Sequence, residues 1–244
     1  MGRWIEVISG DGHRLPAWEA TPDKPARGAI VVIQEIFGVN SHIRSIADGF
    51  AADGYHAIAP ALFDRVQPGF ESGYDDEDIK AGRALAQKAG IDDVMKDLAA
   101  TVKVASGAGA GGAGAGGAGG AGSDAAPGAA GRVGIVGYCW GGTMSWVAAA
   151  RVQGLACAVV YYAGSIANYV GEQPKCPVLC HFGKRDRTPS PEQARSVLDA
   201  HPSAEGHFYD AGHGFNCDQR ASYDADASRL ARQRTLEFFA KHVG

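Results

Sequence analysis

The sequence predicts an α/β protein with a mostly parallel central sheet and helices on both faces. Short β-branched runs alternate with segments whose apolar residues recur at helical spacing, the pattern of strand-helix units in which each strand returns parallel to the last. The run AIVVIQEI, residues 29–36, has the character of a strand buried on both faces, which a parallel sheet requires and a half-solvated sheet does not. At 244 residues the chain can bury one substantial core, and a single domain over 1–244 is the simplest organisation.

The elements follow in order. Residues 3–8 and 16–21 flank Ser-Gly-Asp-Gly and predict an antiparallel hairpin at one sheet edge. After the strand at 29–36, Ser41 is placed to cap a helix whose residues Ile43, Ile46, Ala47, Phe50 and Ala51 share one face, with Gly54 as its stop. The strand HAIAP, 56–60, comes next. A helical stretch spans 77–88, and a second spans 91–105, with Asp92 and Asp93 in a first turn where the helix dipole favours acids. Further strands are predicted at 133–136, 157–161, 177–182 and 206–209, with helices at 141–152, 191–200 and 222–241.

Residues 106–130 are almost all glycine and alanine, lack apolar bulk, and predict a flexible insert rather than a domain boundary. The insert formally contains Gly107-x-Gly109-x-x-Gly112, but a dinucleotide fingerprint must follow a strand, and this one follows a helix in a repetitive tract. No nucleotide or other cofactor is expected.

The net charge of -4 is spread along the chain, so there is no basic stripe for nucleic acid or an anionic membrane. No segment approaches the apolar length of a membrane span, and MGRWIEVISGDGHR does not have the apolar run of a signal peptide. A cytoplasmic protein is expected, acting as a monomer rather than a stable oligomer. Five cysteines, odd in number and irregular in spacing, read as free thiols. Cys176, Cys180 and His181 lie on the strand-like run CPVLCHF, where burial explains them better than metal ligation, and no metal is expected.

The chemistry concentrates in three loops that follow strands. Gly137-Tyr138-Cys139-Trp140-Gly141 has the G-x-nucleophile-x-G form, with glycines that let strand and helix approach around a strained turn. The helix beyond it would favour thiolate at Cys139 and turn the Trp140 amide toward a developing oxyanion. Asp186 follows the 177–182 strand in GKRDRTP, and His213 follows the 206–209 strand in YDAGHGF. Nucleophile, acid and base thus arrive in the chain order this architecture uses, at the strand ends where such sheets place their sites. Glu35, near the end of a buried strand, is a costly carboxylate unless it has a partner.

Together QEIFGVN, GYCWGG, GKRDRTP and AGHGFNCDQRASYD resemble the dienelactone hydrolase family of the α/β-hydrolase fold, over nearly the whole chain apart from the Gly/Ala insert. The resemblance implies Cys139 as nucleophile, His213 as base, Asp186 as the residue that orients it, and Glu35 as the group that helps generate the thiolate. It implies the amides of Ile36 and Trp140 as an oxyanion hole, and Arg83 and Phe37 as substrate contacts. One departure stands out. The chlorocatechol-pathway members carry a substrate arginine a few residues after the histidine, a neighbourhood here occupied by Asn216 and Cys217. The implied activity is hydrolysis of a lactone or small carboxylic ester through a thioester, without a cofactor. A broad carboxylesterase or acyltransferase, or a silent binding protein of the same fold, stays open at this point.

Overall fold

The structure, a computed structural model, describes residues 2–108 and 131–244. Its strands are β1 (Arg3–Ile8), β2 (Arg14–Ala20), β3 (Ala29–Ile33), β4 (His56–Pro60), β5 (Val133–Tyr138), β6 (Leu155–Tyr161), β7 (Val178–Gly183) and β8 (Glu205–Tyr209). Its α-helices are α1 (Ser41–Ala52), α2 (Asp76–Lys88), α3 (Ile91–Ala108), α4 (Trp140–Arg151), α5 (Pro191–Ala200) and α6 (Ala225–His242).

The strands form one sheet in the order β1-β2-β4-β3-β5-β6-β7-β8. The β1–β2 and β2–β4 pairs are antiparallel, and every pair from β4 onward is parallel. The crossover between β3 and β5 brings the end of the 29–36 run beside the cysteine turn, because Ile33 pairs in register with Gly137. Alternate side chains of β3 feed two cores. Ala29, Val31 and Ile33 pack with α3 and α4 on one face, whereas Ile30 and Val32 pack with α1 and α6 on the other. All five are fully buried, each large side chain contributing about 1.5–3 kcal/mol of burial. This is the physical content of helices on both faces.

The elements differ from their sequence-based bounds in a few places. β3 stops at Ile33 and not at residue 36, because beyond it the Gln34 side chain accepts from the Leu62 amide at 3.2 Å and leaves the ladder. Asn40, and not Ser41, caps α1. It has extended backbone and its side chain accepts from the Ile43 amide, whereas the Ser41 hydroxyl bonds to Gln219. α6 begins at Ala225 rather than 222, capped by Asp224. α3 runs to Ala108, so residues 106–108 are helical and not loop. The rest of the Gly/Ala insert lies outside the described residues, and with it Gly109 and Gly112 of the Gly107-x-Gly109-x-x-Gly112 pattern. Among the described residues, no helix is long and apolar enough to cross a membrane.

Candidate active site

Cys139 sits where β5 turns into α4, with φ 57° and ψ -116°, a left-handed backbone on a residue that has a Cβ. Such a conformation costs about 1–3 kcal/mol and holds only if its surroundings over-determine it. They do. The Cys139 amide donates to the Tyr161 carbonyl at 3.0 Å, and the Cys139 carbonyl accepts from the Thr143 amide at 3.2 Å. A Cβ on Gly137 would fall onto the Gly141 carbonyl, and one on Gly141 onto the carbonyl of Gln34, so both positions require glycine. The second approach draws the chain after β3 against the first turn of α4. Ile36 and Trp140 consequently line one cavity together with Cys139.

The acid and the base reach the same place from the ends of β7 and β8. The loops beyond these strands are stitched together, Lys184 donating its amide to Tyr209 and Arg185 its amide to Ala211, at 2.7 and 3.0 Å. Asp186 is buried. One of its oxygens accepts from the Thr188 amide at 2.8 Å, and the other lies 2.9 Å from His213 Nδ1. His213 Nε2 lies 3.1 Å from Cys139 Sγ. Burial alone would depress the His213 pKa, but the charge of the Cys139 thiolate and the Asp186 hydrogen bond outweigh it and raise the pKa to about 10.

Glu35 stands apart from this chain of contacts. It is 1% exposed, and its Oε1 has no hydrogen-bond partner, the nearest cation being Arg220 Nη1 at 3.5 Å. The thiol is engaged with His213 and the carboxylate faces Arg220. Tyr162, itself at φ 35° and with an unpartnered hydroxyl, packs edge-on against His213 at 5.2 Å between ring centroids.

The cavity has a volume of about 820 Å³. Phe37 is buried in its wall, edge-on to Tyr74 at 4.6 Å. Arg83 reaches it from α2, which approaches so closely that a Cβ on Gly82 would meet the Ile36 carbonyl. Arg83 is exposed and has no ion pair among the described residues.

Arg220 is the functional candidate that reading the sequence missed. Asn216 turns away from the cavity and accepts from the Ser228 hydroxyl, and Cys217 is buried, so neither supplies the cation sought after His213. Successive turns carry the chain back instead. The amide of Cys217 donates to Gly214, and that of Arg220 to Cys217, which lays the Arg220 guanidinium against Gly214 and over the Phe37 ring, 5.5 Å from its centroid. The signal was present as the turn-forming GFNCDQR run, but a fixed offset from the histidine does not find it. The other thiols are poor nucleophiles. Burial raises Cys157 and Cys180 well above the normal thiol range, and Cys176 and Cys217 to about 11.

Comparison with known proteins fixes the lineage. The profile of the dienelactone hydrolase family matches residues 15–114 and 123–243. The chain belongs to the dienelactone hydrolase family. A carboxymethylenebutenolidase of Pseudomonas putida is 32% identical, covering 97% of this chain and 95% of its own. A Synechocystis protein provisionally named a carboxymethylenebutenolidase is 34% identical, over 86% of this chain and 84% of its own. A crystal structure of a Klebsiella pneumoniae protein provisionally named a dienelactone hydrolase superimposes with a TM-score of 0.79 at 29% identity, covering 98% of both chains. As a dienelactone hydrolase family member with the α/β-hydrolase fold, the protein is a hydrolase acting on carboxylic esters.

Proposed function

We propose that this dienelactone hydrolase-like enzyme opens a lactone or cleaves a small carboxylic ester through a thioester on Cys139. The observation that carries this reading is the continuous line from Asp186 through His213 to Cys139 Sγ, with contacts of 2.9 and 3.1 Å. Sγ attacks the carbonyl carbon, and the amides of Ile36 and Trp140 receive the charge that develops on its oxygen. When the tetrahedral intermediate collapses, the ester C–O bond breaks and the His213 imidazolium gives its proton to the departing alkoxide.

Deacylation follows from the same electrostatics. Once sulfur is acylated its charge is gone, and burial is then opposed by Asp186 alone, so that His213 gives up its proton more readily. Neutral imidazole takes a proton from water as that water attacks the thioester. The C–S bond breaks, the acid leaves, and the thiolate and imidazolium are restored. Asp186 keeps the Nδ1 proton facing it throughout, so that Nε2 is the nitrogen that exchanges.

Glu35 is assigned the task of drawing the proton from Cys139 when the thiol is not already ionised. For this it must exchange the Arg220 guanidinium for sulfur. A substrate carboxylate offers that exchange, because it competes for Arg220 directly. Arg83 and Arg220 at the cavity wall thus favour an ester or lactone that carries an anionic group, held over Phe37.

The test is a panel of anionic and neutral lactones and esters assayed with wild type and Cys139→Ala. Turnover that prefers anionic substrates and vanishes in the variant is expected. Undiminished turnover in Cys139→Ala would refute the mechanism. Equal handling of anionic and neutral substrates would favour a broad carboxylesterase, for which a cavity of this size leaves room.

A further inference from the structure

Glu35, His42 and Cys217, all buried, bring a carboxylate oxygen, an imidazole nitrogen and a thiol sulfur within 4.8 Å of one another. Two of the groups carry buried atoms without a hydrogen bond, His42 Nε2 and Glu35 Oε1, the latter with only the Arg220 guanidinium 3.5 Å away. A polar atom in the interior without a hydrogen bond is costly, and two in one buried cluster mark a place suited to receive a ligand. His42 is arranged accordingly. Its Nδ1 lies 3.3 Å from Asp218 Oδ1, and the tautomer that donates to this carboxylate leaves a lone pair on the buried Nε2. A carboxylate holding one imidazole nitrogen while the other is free to ligate is the outer-shell arrangement of metal-binding histidines. A second, polar cavity of about 200 Å³ touches both His42 and Asp218 and offers a route from solvent.

We propose that Glu35, His42 and Cys217 form a site for a borderline-soft divalent metal ion, with zinc the best match to a mixed oxygen, nitrogen and sulfur donor set. Binding exchanges the Cys217 thiol proton, released to solvent, for the metal. Thiolate and carboxylate together then neutralise the dication, and water or the neighbouring Tyr74 hydroxyl completes a tetrahedron. The ion competes with Arg220 for the same Glu35 oxygen, since Nη1 stands 3.5 Å from Oε1. Occupancy therefore removes Glu35 from the reaction and inhibits the enzyme, a consequence that rests on the role given to Glu35 above, whereas the site itself does not.

Cobalt(II) titrated into the chelator-dialysed enzyme is the direct probe, because a tetrahedral thiolate complex gives a sulfur-to-metal charge-transfer band and visible d–d bands. Wild type and Cys139→Ala should both develop these bands at one equivalent, and zinc should bleach them. Cys217→Ser, verified as folded by circular dichroism, should lose the charge-transfer band. Asp218→Asn should weaken binding by roughly tenfold or more. Absence of the bands in wild type, their survival in Cys217→Ser, or their loss in Cys139→Ala would overturn the site. A fully occupied enzyme that hydrolyses an activated ester at the uninhibited rate would refute the inhibition and count against Glu35 in the reaction, while the spectra would still report on the ligands.

Discussion

Arg220 Nη1 lies 3.5 Å from Glu35 Oε1, and the same guanidinium lines the cavity that Cys139 and Arg83 face. The two arginines therefore have separable tasks. Among the described residues Arg83 pairs with no acid, so Arg83→Ala should raise KM for an anionic ester by about tenfold and leave a neutral ester nearly unchanged. Arg220→Ala should raise KM for the anionic ester and also alter acylation of the neutral one, because it strands the Glu35 carboxylate. Steady-state kinetics on a matched pair of esters distinguishes these patterns. Equal effects of Arg83→Ala on both would rule out its substrate contact.

Glu35→Gln keeps the size of the side chain and loses its ability to accept a proton. Acylation should slow markedly, and deacylation, which relies on His213, should slow far less. Stopped-flow traces with an activated ester resolve the two steps. An unchanged acylation rate would leave Glu35 a structural acid.

The raised His213 pKa makes a statement about stability. A group with a pKa of about 10 in the folded protein and 6.5 as its ordinary value contributes stability that is fully present below about 6.5 and is lost as pH rises through about 10. The stability difference between wild type and His213→Gln, measured by denaturant unfolding, should therefore shrink from pH 7 to pH 10. A gap that stays constant over that window would show that His213 is not held as imidazolium by Cys139 and Asp186.

Gly137→Ala should cost about 2–3 kcal/mol, since its Cβ would fall onto the Gly141 carbonyl, which cannot move without opening the turn. Gly171→Ala, where nothing lies within 4 Å of the added carbon, is the control and should be nearly neutral. Unfolding midpoints compare them directly.

The sheet and its helices were legible in the sequence because burial on both faces writes itself into runs such as AIVVI, and because Asp186 and His213 follow strands that their own apolar residues announce. The elbow was legible for a related reason, two glycines being required where Gly137 and Gly141 pack against carbonyls. Arg220 was not, because its place depends on a series of turns from Gly214 to Tyr223 that only the folded loop reveals. Nor was the gathering of Glu35, His42 and Cys217, because Glu35 precedes α1 and His42 lies in its first turn, whereas Cys217 reaches them from the distant loop after β8. The N-cap of α1 was misplaced by one residue because Asn40 and Ser41 are both competent caps, and backbone geometry decided between them.

The central claim is that Cys139 carries the acyl group. Rapid acid quench of the enzyme during turnover of an activated ester, followed by peptide mass mapping, reads this out directly. The account predicts one acyl increment on the peptide containing Cys139, formed within the burst and absent from Cys139→Ala. Acylation of Cys176, Cys217 or any hydroxyl group in its place, or turnover with no acyl-enzyme at all, would contradict it.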